Sequence, residues 1–298
     1  KHMVQPENIM VLTYNRSAAA EIRRRLWALV GADAAGIVVQ TLHGLAMRLT
    51  GTSYAVAAER GDSLDFDSVI RSATALLQSA AQDDGSGASV LRDRMLSGLR
   101  FLLVDEYQDI DGDHYALISA LAGRTLRSEE DRLSLMVVGD DDQNIYAFRG
   151  ASVRWIRQFE ADYQARRHNL VENYRSSTAI IDCANRVIAP ARDRMKRDTA
   201  IRIDRARRQQ PAGGLWASLD PLVGGRVHLL EVPPDPWQEA ALALNELQRL
   251  HALRGDSGTA GRWAHFAVIA RRWEDLEPLA ALCRQRGIPA QLARDDLQ

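Results

Sequence analysis

Twice in this chain a short run of apolar residues stops at a cluster of carboxylates. Phe101-Leu102-Leu103-Val104 runs into Asp105-Glu106-Tyr107-Gln108-Asp109, and Leu135-Met136-Val137-Val138 runs through Gly139 into Asp140-Asp141-Asp142. Apolar runs of this length without alternation suit parallel strands covered on both faces, and the polar tails then mark the loops at their carboxyl ends. Two such strands direct the chain to an α/β fold, whose ligands bind at that carboxyl edge. The second loop continues to Gln143, Tyr146 and Phe148. It thus joins a polar group able to sense a phosphate to two rings that present to one surface if the loop is extended.

The first acidic cluster has the form of a Walker B site. A carboxylate at a strand tip, here Asp105, can hold Mg²⁺ through water, and the next one, Glu106, can orient or deprotonate an attacking water. The residues alone leave other readings open. An acidic strand end is also what a solvated turn or a helix N-terminal charge looks like, and Gln143 could simply cap a turn.

Three further segments complete a series: Val11-Leu12-Thr13-Tyr14 with Ala18-Ala19-Ala20-Glu21-Ile22-Arg23, then Thr41-Leu42-His43-Gly44, and later Asn173-Tyr174-Arg175-Ser176. With the two acidic segments, and in this order, they resemble the UvrD/Rep/PcrA-type superfamily 1 DNA helicases across nearly all of residues 6–295. The resemblance implies an α/β fold of two RecA-like lobes with parallel sheets flanked by helices, at residues 4–164 and 165–298, both partial. It implies an ATP-dependent motor that moves 3′→5′ on single-stranded DNA and at single-strand/duplex junctions, with ATP and Mg²⁺ as cofactors. It also places the protein in the bacterial cytoplasm, associated with the nucleoid.

Site residues follow from the same resemblance. Asp105 matches the Mg²⁺-associated carboxylate, Glu106 the water-activating base and Gln143 the γ-phosphate sensor. Tyr174 matches a tyrosine that stacks on adenine, and Arg175 an arginine that reaches the γ-phosphate. Tyr14, Tyr146 and Phe148 match aromatic positions that stack on successive bases, and Thr41, His43 and Arg149 match polar groups beside the strand. Each role has a plainer counterpart: Tyr174 as a core aromatic, Arg175 as a surface charge, His43 as a satisfied core histidine. Asn15-Arg16-Ser17 departs from the family's commoner Thr-Asn-Lys order, which puts a backbone contact there in doubt. The other functional classes open to the chain are a non-catalytic nucleic-acid-binding module and the motor portion of a helicase–nuclease or fused multi-helicase protein.

Composition bounds the reading. The 298 residues suffice for about two domains, and the formal net charge of −1 means that any DNA contact depends on a local positive groove. Apolar runs fall short of membrane-spanning length. Lys1 and Lys196 are the two lysines, neither in a glycine-rich setting, and no G-x-x-x-x-G-K-[ST] loop occurs. Together with the cloning-remnant look of Lys1-His2-Met3, this suggests a piece of a longer protein whose phosphate loop lies upstream. Cys183 and Cys283 lack metal-ligand spacing and read as buried thiols.

Periodicity predicts strands at Ile9–Leu12, Ile37–Gln40, Phe101–Val104 and Leu135–Val138, with helices at Ser17–Val30, Leu45–Leu49, Phe66–Ala81 and Val153–Tyr163. The stretch from 45 to 100 is too short for the family's full accessory subdomain. Beyond a boundary near Gln164–His168, strands are expected at Asn169–Val171, Arg226–Glu231 and Phe266–Ala270. Helices are expected at Ala179–Ile188, Gln238–His251 and Leu276–Arg286, with Arg205–Leu222 as a mobile linker or hairpin. The basic run Arg202, Arg205, Arg207 and Arg208 is read as solvated surface or as a contact for duplex DNA or a neighbouring domain.

Overall fold

Four short strands run parallel in the order β2-β1-β3-β4, with β1 at Ile9–Thr13, β2 at Val38–Thr41, β3 at Phe101–Val104 and β4 at Ser134–Val137. The computed structural model describes residues 4–53, 65–80, 96–124, 132–255 and 263–292. The sequence also predicts a loop at Asp83–Gly87 and a polar, irregular stretch at Gly51–Asp65; the loop and most of that stretch lie outside the described residues. Two compact units divide the chain, residues 1–168 and 169–298.

In the first unit, alternation along β1 sorts side chains to two helical layers. Met10 and Leu12 join Leu102 and Val104 against α2 (Leu42–Thr50), α3 (Phe66–Ala80), α4 (Gly112–Leu121) and α5 (Arg154–Tyr163). Val11 points the other way, to Val39 and to Ala19, Ile22 and Leu26 of α1 (Arg16–Val30). Strands buried on both faces explain the uninterrupted apolar runs. The helices begin where side chains satisfy free backbone N–H groups: Asn15 Oδ1 accepts from Ala18 N at 2.7 Å, and Asp111 Oδ1 from His114 N at 2.9 Å. Asn15 in the departing Asn15-Arg16-Ser17 segment therefore serves as a helix cap.

One sequence expectation needs correction here. Leu135–Val138 is parallel as expected, yet it is not covered on both faces, because β4 is an edge strand in this sheet. Leu135 and Val137 pack on the core while Met136 stays 57% exposed.

The second unit has its own small core, where Ala240 and Leu244 of α8 (Pro236–Leu253) meet Leu279 and Cys283 of α9 (Glu277–Gln285). Its parallel pairing joins β5 (Glu172–Asn173) to β6 (Arg202–Ile203), beside α6 (Thr178–Ile188). The strand expected at Asn169–Val171 thus begins three residues later. Arg226–Glu231 and Phe266–Ala270 form no ladder among the described residues; Leu229 and Ile269 are 83% and 93% exposed. Apolar content made them strand candidates, but a strand exists only through a hydrogen-bonded neighbour.

Arg205–Leu222 is neither a hairpin nor a bare linker. It contains a 3-10 turn at Arg205–Arg207 and the short helix α7 (Trp216–Leu219). The backbone of Gly213 lies so close to Gly224 and Gly225 that a side-chain carbon would have no room. Asp220, buried at the end of α7, accepts two hydrogen bonds from Arg249 of α8 at 2.9 and 3.0 Å. Cys283 is buried and Cys183 half-buried, both as free thiols. No helix among the described residues is long and apolar enough to cross a membrane.

Because Leu102 is fully enclosed at the middle of the sheet, Leu102→Ala should cost about 2–5 kcal/mol, whereas Met136→Ala on the open side of β4 should change stability by no more than about 0.5 kcal/mol. Urea unfolding of the two variants at matched slope checks the contrast.

Candidate functional site

All four strand ends of the first unit open on one edge, because the strands are parallel and closely in register: Thr13 pairs Thr41, Leu12 pairs Val104, and Val104 pairs Val137. Tyr14, Leu42-His43, Asp105-Glu106 and Val138-Gly139-Asp140 therefore leave the sheet together. Asp105 N donates to Leu12 O at 2.9 Å and Tyr107 N to Val138 O at 2.9 Å, which carries the ladder past the strand tips.

Glu106 turns the chain in the left-handed region, φ 53° and ψ 43°. A residue with a side chain held there stores about 1–3 kcal/mol of strain, a cost met chiefly at functional positions. Gln108 holds it in place. This buried side chain donates through Nε2 to Glu106 Oε2 at 2.7 Å and accepts through Oε1 from Asp140 N at 2.9 Å. Its backbone oxygen takes a third bond from Asn144 Nδ2 at 3.1 Å. Gly139 makes the approach possible, since a Cβ there would sit 3.0 Å from Gln108 Oε1. Gln143 lies on the exposed turn Asp141–Gln143 and donates to Asp140 Oδ2 at 2.8 Å.

Two carboxylates at this edge, Asp105 and Asp109, resist ionisation. Burial pushes Asp105 above its ordinary range, with Glu106 adding repulsion. Burial and then the charge of Glu106 push Asp109 up to about 6, and its Oδ1 is a buried oxygen without a hydrogen-bond partner among the described residues. A carboxylate oxygen such as that of Asp105 is a hard donor of the kind Mg²⁺ takes, and in the adjoining loop Asp140, Asp141 and Asp142 set one carboxylate oxygen each within 4.8 Å of the others, the group of three possible metal donors found among the described residues.

Beside the carboxylates runs a series of rings. Phe148, 79% exposed, lies 6.1 Å from Tyr146, and Tyr146 lies 5.6 Å from Tyr14. From Tyr14 the series reaches the buried ring of His114 at 6.0 Å, then turns back out through half-buried His43 at 5.1 Å to the exposed Phe66 at 5.5 Å. Burial, with His114 nearby, pushes His43 down to about 4, so its ring is neutral at pH 7. The Thr41 hydroxyl accepts from Gly44 N at 3.0 Å and so caps α2. Arg149 ends the turn Ala147–Arg149; its side chain lies outside those described.

In the second unit Tyr174 is 71% exposed, which removes the core-aromatic alternative. Its hydroxyl donates to Glu172 Oε2 at 3.3 Å. Arg175 is exposed, and its backbone N donates to Asn173 Oδ1 at 3.0 Å. Arg202, Arg205 and Arg208 gather 3.7–3.9 Å from Glu172, while Arg207 reaches Ser176 O.

Sequence reasoning missed three members of the site. Gln108 was visible only as a letter inside the acidic box, with nothing to say that both ends of its amide are used. His114 and Phe66 stand far from the ring-bearing motifs in sequence. The one available signal was Asp111 three residues before His114, a helix-cap spacing that also sets His114 Nδ1 2.8 Å from Asp111 Oδ1.

The family model of the UvrD/REP helicase N-terminal domain matches residues 1–60 and 51–164, more than half of the chain. The chain belongs to this helicase family. It is 45% identical over 129 residues to the ATP-dependent DNA helicase UvrD1 of Mycobacterium tuberculosis (strain ATCC 25618 / H37Rv), covering 43% of this chain and 16% of that protein. Similarity to the ATP-dependent DNA helicase PcrA of Leuconostoc citreum is 40% over 138 residues, 46% of this chain and 16% of the relative. The ATP-dependent DNA helicase Rep of Escherichia coli (strain K12) is 39% identical over 127 residues, 42% of this chain and 17% of the relative. The match thus spans about one-sixth of the length of these helicases. The four-stranded parallel sheet with its helical layers agrees with a RecA-like N-terminal helicase domain.

Asp109 supplies a pH test. With its folded value near 6, above an unfolded value of about 3.9, the folded state binds the proton more tightly, so stability should fall as pH rises from about 4 to about 6. Asp109→Asn should abolish that decline and leave the protein more stable above pH 6, by no more than about 1 kcal/mol because solvent screens the half-buried group. Urea titrations between pH 4 and 8 without divalent cations read the difference; an unchanged slope would count against it.

Proposed function

We propose that the chain is part of an ATP-driven motor on single-stranded DNA, working 3′→5′ and engaging single-strand/duplex junctions. The observation that carries this reading is the junction, on one sheet edge, of a carboxylate pair at a strand tip with a graded series of rings, bridged by Gln108 and the Asp140–Gln143 turn. The relatives' description as ATP-dependent DNA helicases agrees with it.

In this reading Asp105 holds Mg²⁺, which when bound neutralises charge on the phosphates of ATP. Glu106 takes the proton of the attacking water, and Gln143, on an exposed turn, meets the γ-phosphate. Tyr174 offers an exposed ring to the adenine and Arg175 a planar cation to the transferring phosphoryl group. Phe148, Tyr146 and Tyr14 stack on successive bases, a contact that tolerates any sequence, as a translocating motor requires. His43 is a neutral ring in contact with this series, and Thr41 and Arg149 flank the strand. The reading places the protein with chromosomal DNA in the bacterial cytoplasm. The 298-residue chain by itself carries no glycine-rich lysine loop to grip the β- and γ-phosphates.

The test is ATP hydrolysis by the whole protein that carries this chain, with and without single-stranded DNA. Stimulation by DNA is expected; DNA binding without hydrolysis would instead identify a binding module. Glu106→Gln should reduce turnover at least a hundredfold while nucleotide binding persists. Phe148→Ala should weaken single-stranded DNA binding by about 1–3 kcal/mol, roughly 5- to 150-fold in Kd, read by fluorescence anisotropy. Purified residues 1–298 should hydrolyse ATP little or not at all, and robust turnover would overturn that expectation.

A further inference from the structure

We propose that Gln108 is a positioning residue through which the base-stacking loop controls the alignment of Glu106, so that DNA occupancy sets the rate of hydrolysis. The inference rests on the motor reading above and goes beyond it, because it names the side chain that transmits the coupling.

The amide has no freedom in how it is used. A carboxylate only accepts hydrogen bonds and a backbone N–H only donates, so Nε2 must face Glu106 and Oε1 must face Asp140. The bonds are 2.7 and 2.9 Å long and the side chain is 2% exposed, so water cannot replace either partner without opening the site. A buried amide engaged at both ends transmits displacement.

What it joins gives that displacement a meaning. On one side is a carboxylate whose own backbone sits in the left-handed region, a conformation that persists only while its surroundings hold it. On the other is the first residue of a short segment that carries Gln143, Tyr146 and Phe148. Asn144, within that segment, returns a bond from its side chain to the backbone of Gln108. A base pressing on the Tyr146 and Phe148 rings therefore bears on a loop tied to Gln108 at two points, and Gln108 bears on Glu106. Asp140 is not interchangeable with Gln108 here, because it contributes its backbone N–H while its carboxylate accepts from Gln143.

The test compares the ratio of DNA-stimulated to basal ATP hydrolysis in the whole protein. Gln108→Glu keeps the size of the side chain and its acceptor for Asp140, but exchanges the donor to Glu106 for a second negative charge. The ratio should fall at least tenfold at pH 8 and recover as pH is lowered towards 6, because the introduced carboxyl group, once protonated, again donates to Glu106. A residue needed only for packing would give no such pH-dependent recovery. Asn144→Ala, a half-buried change outside the core, should lower the ratio about two- to threefold with an unchanged melting temperature. A wild-type ratio in both variants, or a loss in Gln108→Glu that is equal at every pH, overturns the inference. Absence of DNA stimulation in the wild-type protein would instead sink the motor reading, and the inference with it.

Discussion

Everything at the candidate site depends on parallel strand pairing. In an antiparallel sheet the ends of β1, β2, β3 and β4 would alternate between two edges, and Tyr14, His43, Asp105 and Asp140 would be scattered. Parallel register brings them to one edge, and two backbone bonds beyond the ladder, Asp105 N to Leu12 O and Tyr107 N to Val138 O, extend that order into the loops. Parallel pairing requires helical crossovers, and those helices supply the two apolar layers that bury β1 on both faces.

Rigidity behind the edge allows electrostatic cost at its front. Asp105 and Asp109 are carboxyl groups raised by burial, and Glu106 occupies a backbone conformation that few residues with a side chain tolerate. None of these features stabilises the fold. They persist because fully enclosed residues such as Leu12, Leu102 and Leu117 hold the strands and helices around them. The ring series has a similar gradation, from buried His114 to widely exposed Phe148. The inner rings fix positions and the outer ones remain available to stack.

The second unit shows the limit of composition as a guide. Its helices at Pro236–Leu253 and Glu277–Gln285 close to the expected bounds, because helix hydrogen bonds are local and their caps are written nearby: Asp235 accepts from Gln238 N, and Gly287 follows the last turn with φ 65°. The segments Arg226–Glu231 and Phe266–Ala270 were strand candidates and form no ladder among the described residues, since a ladder needs a second segment that the local sequence cannot specify. The same reasoning explains β4, whose position at the edge leaves Met136 exposed although its composition reads as interior.

The sequence by itself determined the α/β class, the four strands of the first sheet within about a residue, and the motifs that carry Asp105, Glu106, Gln143, Tyr146 and Phe148. These depend on periodicity and on short stretches of adjacent residues, which a linear reading can see. Only the tertiary structure decided that Gln108 ties Glu106 to the Asp140 loop, that His114 and Phe66 extend the rings, and which apolar runs become strands. Those outcomes depend on hydrogen bonds and packing between residues tens of positions apart, and distance in space is what a sequence does not record.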